Sequence, residues 1–205
     1  MDLVEEIVML RDRELAVLRP RDSESLLDEE AFEREERMPY WAELWPSGVE
    51  LARAIAGRSL RGARVLELGC GGLALPSIAA ALGGARVLAT DWSEEALSLA
   101  LRNAARNGAA FETAVCSWER PEDVLARGPW DLVLAADVLY ERRNVPLLVS
   151  LFERLAAPVW LADPNRPPLP DFLAAARGRG FAIETSGAKE PPGVGIHRLR
   201  LAPTG

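Results

Sequence analysis

A chain of 205 residues, 49% of them hydrophobic, can bury one well-filled core plus an extension and is short for two full domains. No apolar run approaches the roughly 20 residues needed to span a bilayer, and the N-terminal MDLVEEIVMLRDRE is acidic and interrupted by charge, so neither a membrane segment nor a signal or transit peptide is expected and a cytoplasmic protein is. The formal charge of −7 lies entirely in residues 1–37, where 13 acidic residues face six arginines, and the balanced remainder offers no basic excess for phosphate, which argues against nucleic acid as the main partner.

Residues 4–18 hold two strand-like segments, VEEIVML and ELAVL, joined through Arg11 and Arg13, and predict a hairpin beside the main fold. Pro20 to Ser23 is a turn, and Ser23 caps a helix reaching about Glu36, with Leu26, Leu27, Ala31 and Phe32 on its apolar side. The acidic charge here is either a solvated face or a surface for a basic partner. In RMPYWAELWPSGVELARAIAG, three aromatics (Tyr40, Trp41, Trp45) precede Pro46 and a helix that turns Val49, Leu51, Ala52 and Ile55 inward. Such rings either pack the loop or close over a bound cation, which an aromatic face attracts.

From Ala63 to Asp91 the pattern is strand, glycine turn, helix, strand, acid. Arg64 to Leu68 is a strand-length apolar run, Gly69 and Gly71 let the backbone turn sharply and approach a ligand, and Pro76 suits the first turn of a helix ending near Gly83. Arg86 to Thr90 is a second buried strand. Asp91 follows it about 20 residues past the glycines, where a carboxylate can accept both hydroxyls of a ribose. This is a nucleoside-binding βαβ unit. Gly69, Gly71 and Ala74 fit the G-x-G-x-x-A of dinucleotide folds, but Glu67, two residues before the first glycine, would repel a pyrophosphate and suits the ammonium of a bound amino acid such as S-adenosylmethionine (SAM). Glu67 can also be a strand-end residue that caps the loop.

Beyond Trp92, Ser93 caps a helix ending at Gly108, and Phe111 to Cys116 is the third strand. Trp118 in the following CSWERPED either stacks on an adenine or is a half-buried loop aromatic. Asp131 to Ala136 forms a fourth strand leading into DVLY, then a helix spans Asn144 to Leu155, a fifth strand Val159 to Ala162, and a proline-rich loop DPNRPPLP. A helix around Asp171 to Gly178 and strands Phe181 to Thr185 and Ile196 to Leu201 complete the chain. Cys70 and Cys116 lack metal-type spacing, and a single histidine, His197, adds no ligand cluster, so neither a metal site nor a disulfide is expected.

The alternation predicts an α/β fold, a Rossmann-like seven-stranded mostly parallel sheet with helices on both faces and the last strand antiparallel, plus a small N-terminal hairpin-and-helix extension. One domain over residues 1–205 is expected, with 1–45 as extension and lid and 46–205 as the core. The glycine turn, Asp91, Trp118 and Ala136-Asp137 all fall at strand C-terminal ends, where ligands bind in such sheets.

YWAELWPSG, LELGCG, ATDWSEEAL with NAARNG, and DLVLAADVLY together resemble the seven-β-strand SAM-dependent methyltransferases, and within them the family-16 lysine methyltransferase and nicotinamide N-methyase-like group, over roughly residues 38–200. That resemblance implies SAM as cofactor: Trp45 shields it, Gly69 and Gly71 approach its methionine portion, Asp91 binds its ribose, Trp118 lies by its adenine, and Ala136 lines the pocket; Glu67 and Trp92 are expected among the cofactor-binding residues as well. Asp137 and Tyr140 then face the methyl acceptor. Without it, Asp137 reads as the N-cap of the next helix and Tyr140 as a packing aromatic. Two departures stand out. The family loop G-x-G-x-G is here Gly69-Cys70-Gly71-Gly72-Leu73, so the third glycine is displaced or the loop is longer by a residue, and Ser117 stands where relatives carry an acid. The acceptor implied is a protein lysine, with a small amine as the alternative and a non-catalytic or NAD-binding module as the third; Asn165 and Arg166 are the expected selectivity residues. No exposed stripe specifies an oligomer.

Overall fold

The computed structural model describes residues 2–11, 13–22, 40–188 and 193–202; the helix expected from Ser23 to Glu36 lies outside them. Strands β1 (Leu3–Leu10) and β2 (Arg13–Pro20) form the expected antiparallel hairpin, longer than the two apolar segments because Leu3 pairs with Pro20 at its open end. The seven other strands, β3 (Arg64–Leu68), β4 (Arg86–Asp91), β5 (Glu112–Val115), β6 (Leu132–Ala136), β7 (Val159–Asp163), β8 (Phe181–Gly187) and β9 (Gly195–Leu201), form one sheet in the order β5-β4-β3-β6-β7-β9-β8. Its ladders are parallel from β5 to β7; β9 inserts antiparallel between β7 and β8. This is the seven-stranded α/β architecture the sequence predicts.

The helices are α1 (Pro46–Ile55), α2 (Leu75–Leu82), α3 (Glu94–Arg106), α4 (Glu122–Ala126), α5 (Asn144–Leu155) and α6 (Leu169–Gly178). Pro46 opens α1, where no N–H is needed. The Ser93 hydroxyl accepts from the Ala96 N–H at 3.1 Å, and Glu94 and Glu95 place negative charge against the positive end of α3. The five-residue α4 was not foreseen.

Strand side chains alternate between two cores. Leu66, Leu68, Val133, Ala135, Val159 and Leu161 face α4, α5 and α6, where Phe152 and Phe172 meet edge-on with centroids 6.0 Å apart. Val65, Leu132, Leu134, Trp160 and Ala162 face α1, α2 and the hairpin residues Val8, Leu10, Leu15 and Val17. Strand order reverses between β3 and β6, and the crevice beyond their C-terminal ends is where such sheets bind ligands. Among the described residues no helix is long and apolar enough to cross a membrane.

Candidate active site

The turn after β3 is held by β4 and by the aromatic turn before α1. Cys70 N–H donates to the Thr90 carbonyl, Gly71 N–H to Asp91 Oδ2 at 2.9 Å, and Gly72 N–H to the Trp41 carbonyl at 2.8 Å. Gly69 and Gly71 both take left-handed backbone, φ +68° and +60°. A Cβ on Gly69 would lie 3.3 Å from both Trp118 and Val138, so this glycine lets the loop after β5 sit directly on the turn. The displaced third glycine has a different use: the remaining left-handed residue is Ala74, at φ 45°, whereas Gly72 is needed for space, because a Cβ there would sit 2.8 Å from Leu99 Cδ2.

Glu67 is buried beside this turn. Its Oε2 accepts from both the backbone N–H and the hydroxyl of Ser77, in the first turn of α2. The capping contact is therefore present, and Glu67 lines the cleft as well. Burial pushes its carboxyl up to about 8, the Ser77 hydrogen bonds opposing and the nearby Asp91 adding to the rise. Asp91 ends β4 with Oδ1 accepting from Ser93 N–H at 3.1 Å and Oδ2 from Gly71 N–H; burial raises its carboxyl too, against those same bonds.

On the other side of the crevice, DVLY splits. Leu139 goes into the core, Val138 is buried between the core and the cleft, and Asp137 and Tyr140 line the cleft. Asp137 is not a helix cap: α5 begins at Asn144, after Arg143. Its backbone is left-handed, φ 59°, an uncommon conformation for a residue with a Cβ, and is held by its N–H donating to the Ala162 carbonyl at 3.0 Å. Arg166 Nη2 and Nε donate to Asp137 Oδ1 at 2.5 and 2.8 Å, and the same guanidinium lies 5.4 Å from the centroid of the Trp45 ring. Tyr140 bridges two aromatics, with ring centroids 5.4 Å from Tyr40 and 6.4 Å from Trp118; Tyr40 in turn meets Trp45 at 6.0 Å and accepts on its carbonyl from the Trp45 indole N–H at 2.7 Å. Trp45, Tyr40, Tyr140 and Trp118 thus form an aromatic rim from one end of the cleft to the other.

The ten residues expected at cofactor and acceptor, Trp45, Glu67, Gly69, Gly71, Asp91, Trp92, Trp118, Ala136, Asp137 and Tyr140, line this one cleft; of the two expected to set selectivity, Arg166 lines it and Asn165 does not, its side-chain amide donating instead to the Gly193 carbonyl. The sequence reading named Tyr40 only as one ring of the cluster before α1, and singled out neither Val138 nor the ion pair between Arg166 and Asp137. Tyr40 lay within the quoted aromatic cluster and was the available signal.

Residues 31–160 match the model of a family described as lysine methyltransferase. The chain belongs to this family. A relative from Xenopus laevis, the electron transfer flavoprotein beta subunit lysine methyltransferase, is 34% identical over 140 residues, covering 62% of this chain and 53% of the relative. The chain thus spans little more than half the length of that protein. The mouse EEF1A lysine methyltransferase 3 is 29% identical over 186 residues, covering 82% of this chain and 77% of the relative. Among solved structures, a ribosomal protein L11 methylase from Lactobacillus delbrueckii subsp. bulgaricus superposes with a TM-score of 0.58 at 26% identity, over 76% of this chain and 79% of that one. The family match begins before the aromatic rim and ends within β7, so it takes in every element from α1 to α5 and stops short of Asp163 and Arg166.

Proposed function

We propose that the chain is a SAM-dependent N-methyltransferase whose acceptor is a protein lysine side chain. The observation that carries this reading is the division of one cleft. A glycine turn with two buried carboxylates, Glu67 and Asp91, stands on one side, and a carboxylate inside an aromatic frame, Asp137 with Trp45, Tyr40 and Tyr140, on the other. The first half fits the cofactor. Glu67 meets an ammonium, which restores the charge that burial suppresses; the backbone at Gly69 and Gly71 leaves room for the methionine arm; Asp91 accepts from ribose hydroxyls; Trp118 flanks the adenine. When bound, SAM supplies an electrophilic methyl group on a sulfonium.

The chain's own residues must then place a neutral nitrogen behind that methyl and keep water out. A lysine ammonium with pKa about 10.4 costs roughly 4–5 kcal/mol to deprotonate at pH 7. Asp137, whose carboxylate lines the cleft, attracts and orients it. Tyr140 and Tyr40 form the walls. The mouth is open to solvent, with Tyr40, Trp92 and Tyr140 at 41%, 37% and 36% exposure, which suits a side chain presented on a large protein better than an enclosed small amine. The relatives named for methylating lysines of proteins support the same acceptor class.

Calorimetric titration with SAM and S-adenosylhomocysteine tests the cofactor half. Wild type is expected to bind both, and Asp91→Ala to bind roughly 10- to 100-fold more weakly for the loss of its charge-assisted hydrogen bonds. Radiolabelled methyl transfer to lysate proteins, followed by amino-acid analysis, should then yield methyllysine. No binding of either nucleoside at millimolar concentration sinks the proposal.

A further inference from the structure

Asp137 and Asp163 are a matched pair. The last registered residues of β6 and β7 are Ala136 and Ala162, so the two aspartates follow one step on, side by side at the ends of adjacent parallel strands. Both are buried. Each has one oxygen partnered by Arg166 and one with no partner: Asp137 Oδ1 accepts from the Arg166 guanidinium, Asp163 Oδ1 accepts from the Arg166 backbone N–H at 2.6 Å, and Oδ2 of both is buried and unpaired. Arg166 is the basic side chain lining the cleft among the described residues. Two buried carboxylates therefore stand beside one guanidinium, which pairs with Asp137 alone.

We infer that Arg166 is a resident cation holding the acceptor's seat between Asp137 and Trp45, and that a cationic acceptor displaces it onto Asp163. This rests on the methyltransferase reading above. The seat has the features that recognise an alkylammonium, a carboxylate and an indole face, and Arg166 now covers both. Two cations cannot share Asp137 Oδ1 without repulsion, so one must leave. Arg166 has somewhere to go. Its backbone is anchored to Asp163 three residues away, and Asp163 Oδ2, buried and unpaired, is the carboxylate oxygen that would receive the guanidinium. No ion pair is lost in the exchange, and Asp163 Oδ2 gains a partner. A neutral molecule of the same size cannot take over Asp137, so the device selects for charged acceptors. Asp163, in this scheme, is a positioning residue acting through Arg166.

The test uses the full chain, isotope-labelled and saturated with S-adenosylhomocysteine, titrated with n-butylammonium chloride as a lysine side-chain probe and with 1-butanol as its neutral counterpart. Nuclear magnetic resonance follows the Arg166 Nε–H signal, assigned by its disappearance in Arg166→Gln. Butylammonium is expected to shift that signal and butanol to leave it in place. Arg166→Gln should bind butylammonium more tightly, on the order of tenfold for a guanidinium that holds the seat about nine-tenths of the time. Asp163→Asn should weaken butylammonium binding in the wild-type background and change nothing when combined with Arg166→Gln. Weaker or unchanged binding in Arg166→Gln overturns the inference and makes Arg166 a fixed support for Asp137; Arg166→Met serves if the glutamine variant does not fold, and the Asp163→Asn result stands without either. Failure to bind S-adenosylhomocysteine defeats the methyltransferase reading itself, whereas its binding with no gain in Arg166→Gln defeats only the displacement.

Discussion

Glu67 carries a charge problem that the fold solves with a proton. It is 1% exposed, its hydrogen bonds come from Ser77 alone, and burial pushes its carboxyl from 4.5 to about 8. Between those two values the folded chain holds a proton that the unfolded chain has released. The stability due to this proton is therefore complete below pH 4.5 and is lost as pH rises through 8. Glu67→Gln keeps an acceptor for Ser77 and removes the titration. Denaturant melts at pH 5, 7 and 9 should show the variant gaining on wild type as pH rises, by up to about 4 kcal/mol at the alkaline end. Saturating SAM is expected to narrow the gap, because an ammonium beside Glu67 favours its ionised form. Parallel profiles for the two proteins would mean that the carboxylate is ionised in the fold and that the burial argument is wrong.

At the scale of elements, the hairpin and the glycine turn are joined by one helix. Asn107, just past α3, bonds both sides of Ala16, accepting from its N–H and donating to its carbonyl, each at 3.0 Å. Asn103 does the same at Leu18 and donates also to the Gly72 carbonyl at 2.9 Å. Two side-chain amides thus continue the ladder at the free edge of β2 and protect it as a further strand would. Asn103→Ala strands the backbone of Leu18 and Gly72 together. A loss of about 2–4 kcal/mol is expected, one to three for each buried group left unpaired less what water recovers, together with weaker SAM binding; a variant as stable as wild type would show the bridge to be incidental. The asparagines were visible in NAARNG, where the four-residue spacing puts both amides on one helix face, but their partners lie 85 and 91 residues earlier, a distance that no local pattern reports. The same limit explains the rest of the comparison. Buried strands such as Arg64–Leu68 and helices such as Asn144–Leu155 were legible because apolar period and turn residues are local. The five-residue α4 has too few positions to show a period. Asp163 read as the opening of a proline-rich loop, whereas it ends β7, and its pairing with Asp137 is set by the register of two strands.

For the whole molecule, the hairpin decides where the folding unit begins. The sequence suggests an appendage, since the acidic charge of residues 1–37 sets this region apart from the balanced core. The packing argues otherwise. Val8, Leu10, Leu15 and Val17 are all under 5% exposed and share one apolar cluster with Leu51 and Ile55 of α1, Ile78 of α2 and Ala104 of α3. Full burial of four such side chains is worth on the order of 6–12 kcal/mol as an upper bound, comparable to the roughly 5–15 kcal/mol by which a whole domain is stable. The hairpin also shields the α1 and α3 side of a sheet whose other face has its own complete cover. Residues 1–22 and the sheet should therefore unfold together, with circular dichroism and tryptophan fluorescence giving one coincident transition. Removing residues 1–22 is expected to abolish cooperative unfolding and SAM binding together, since the lost contacts run through Asn103 to the glycine turn. A truncated chain that melts near the wild-type temperature and binds SAM with unchanged affinity would return the hairpin to the status of an appendage.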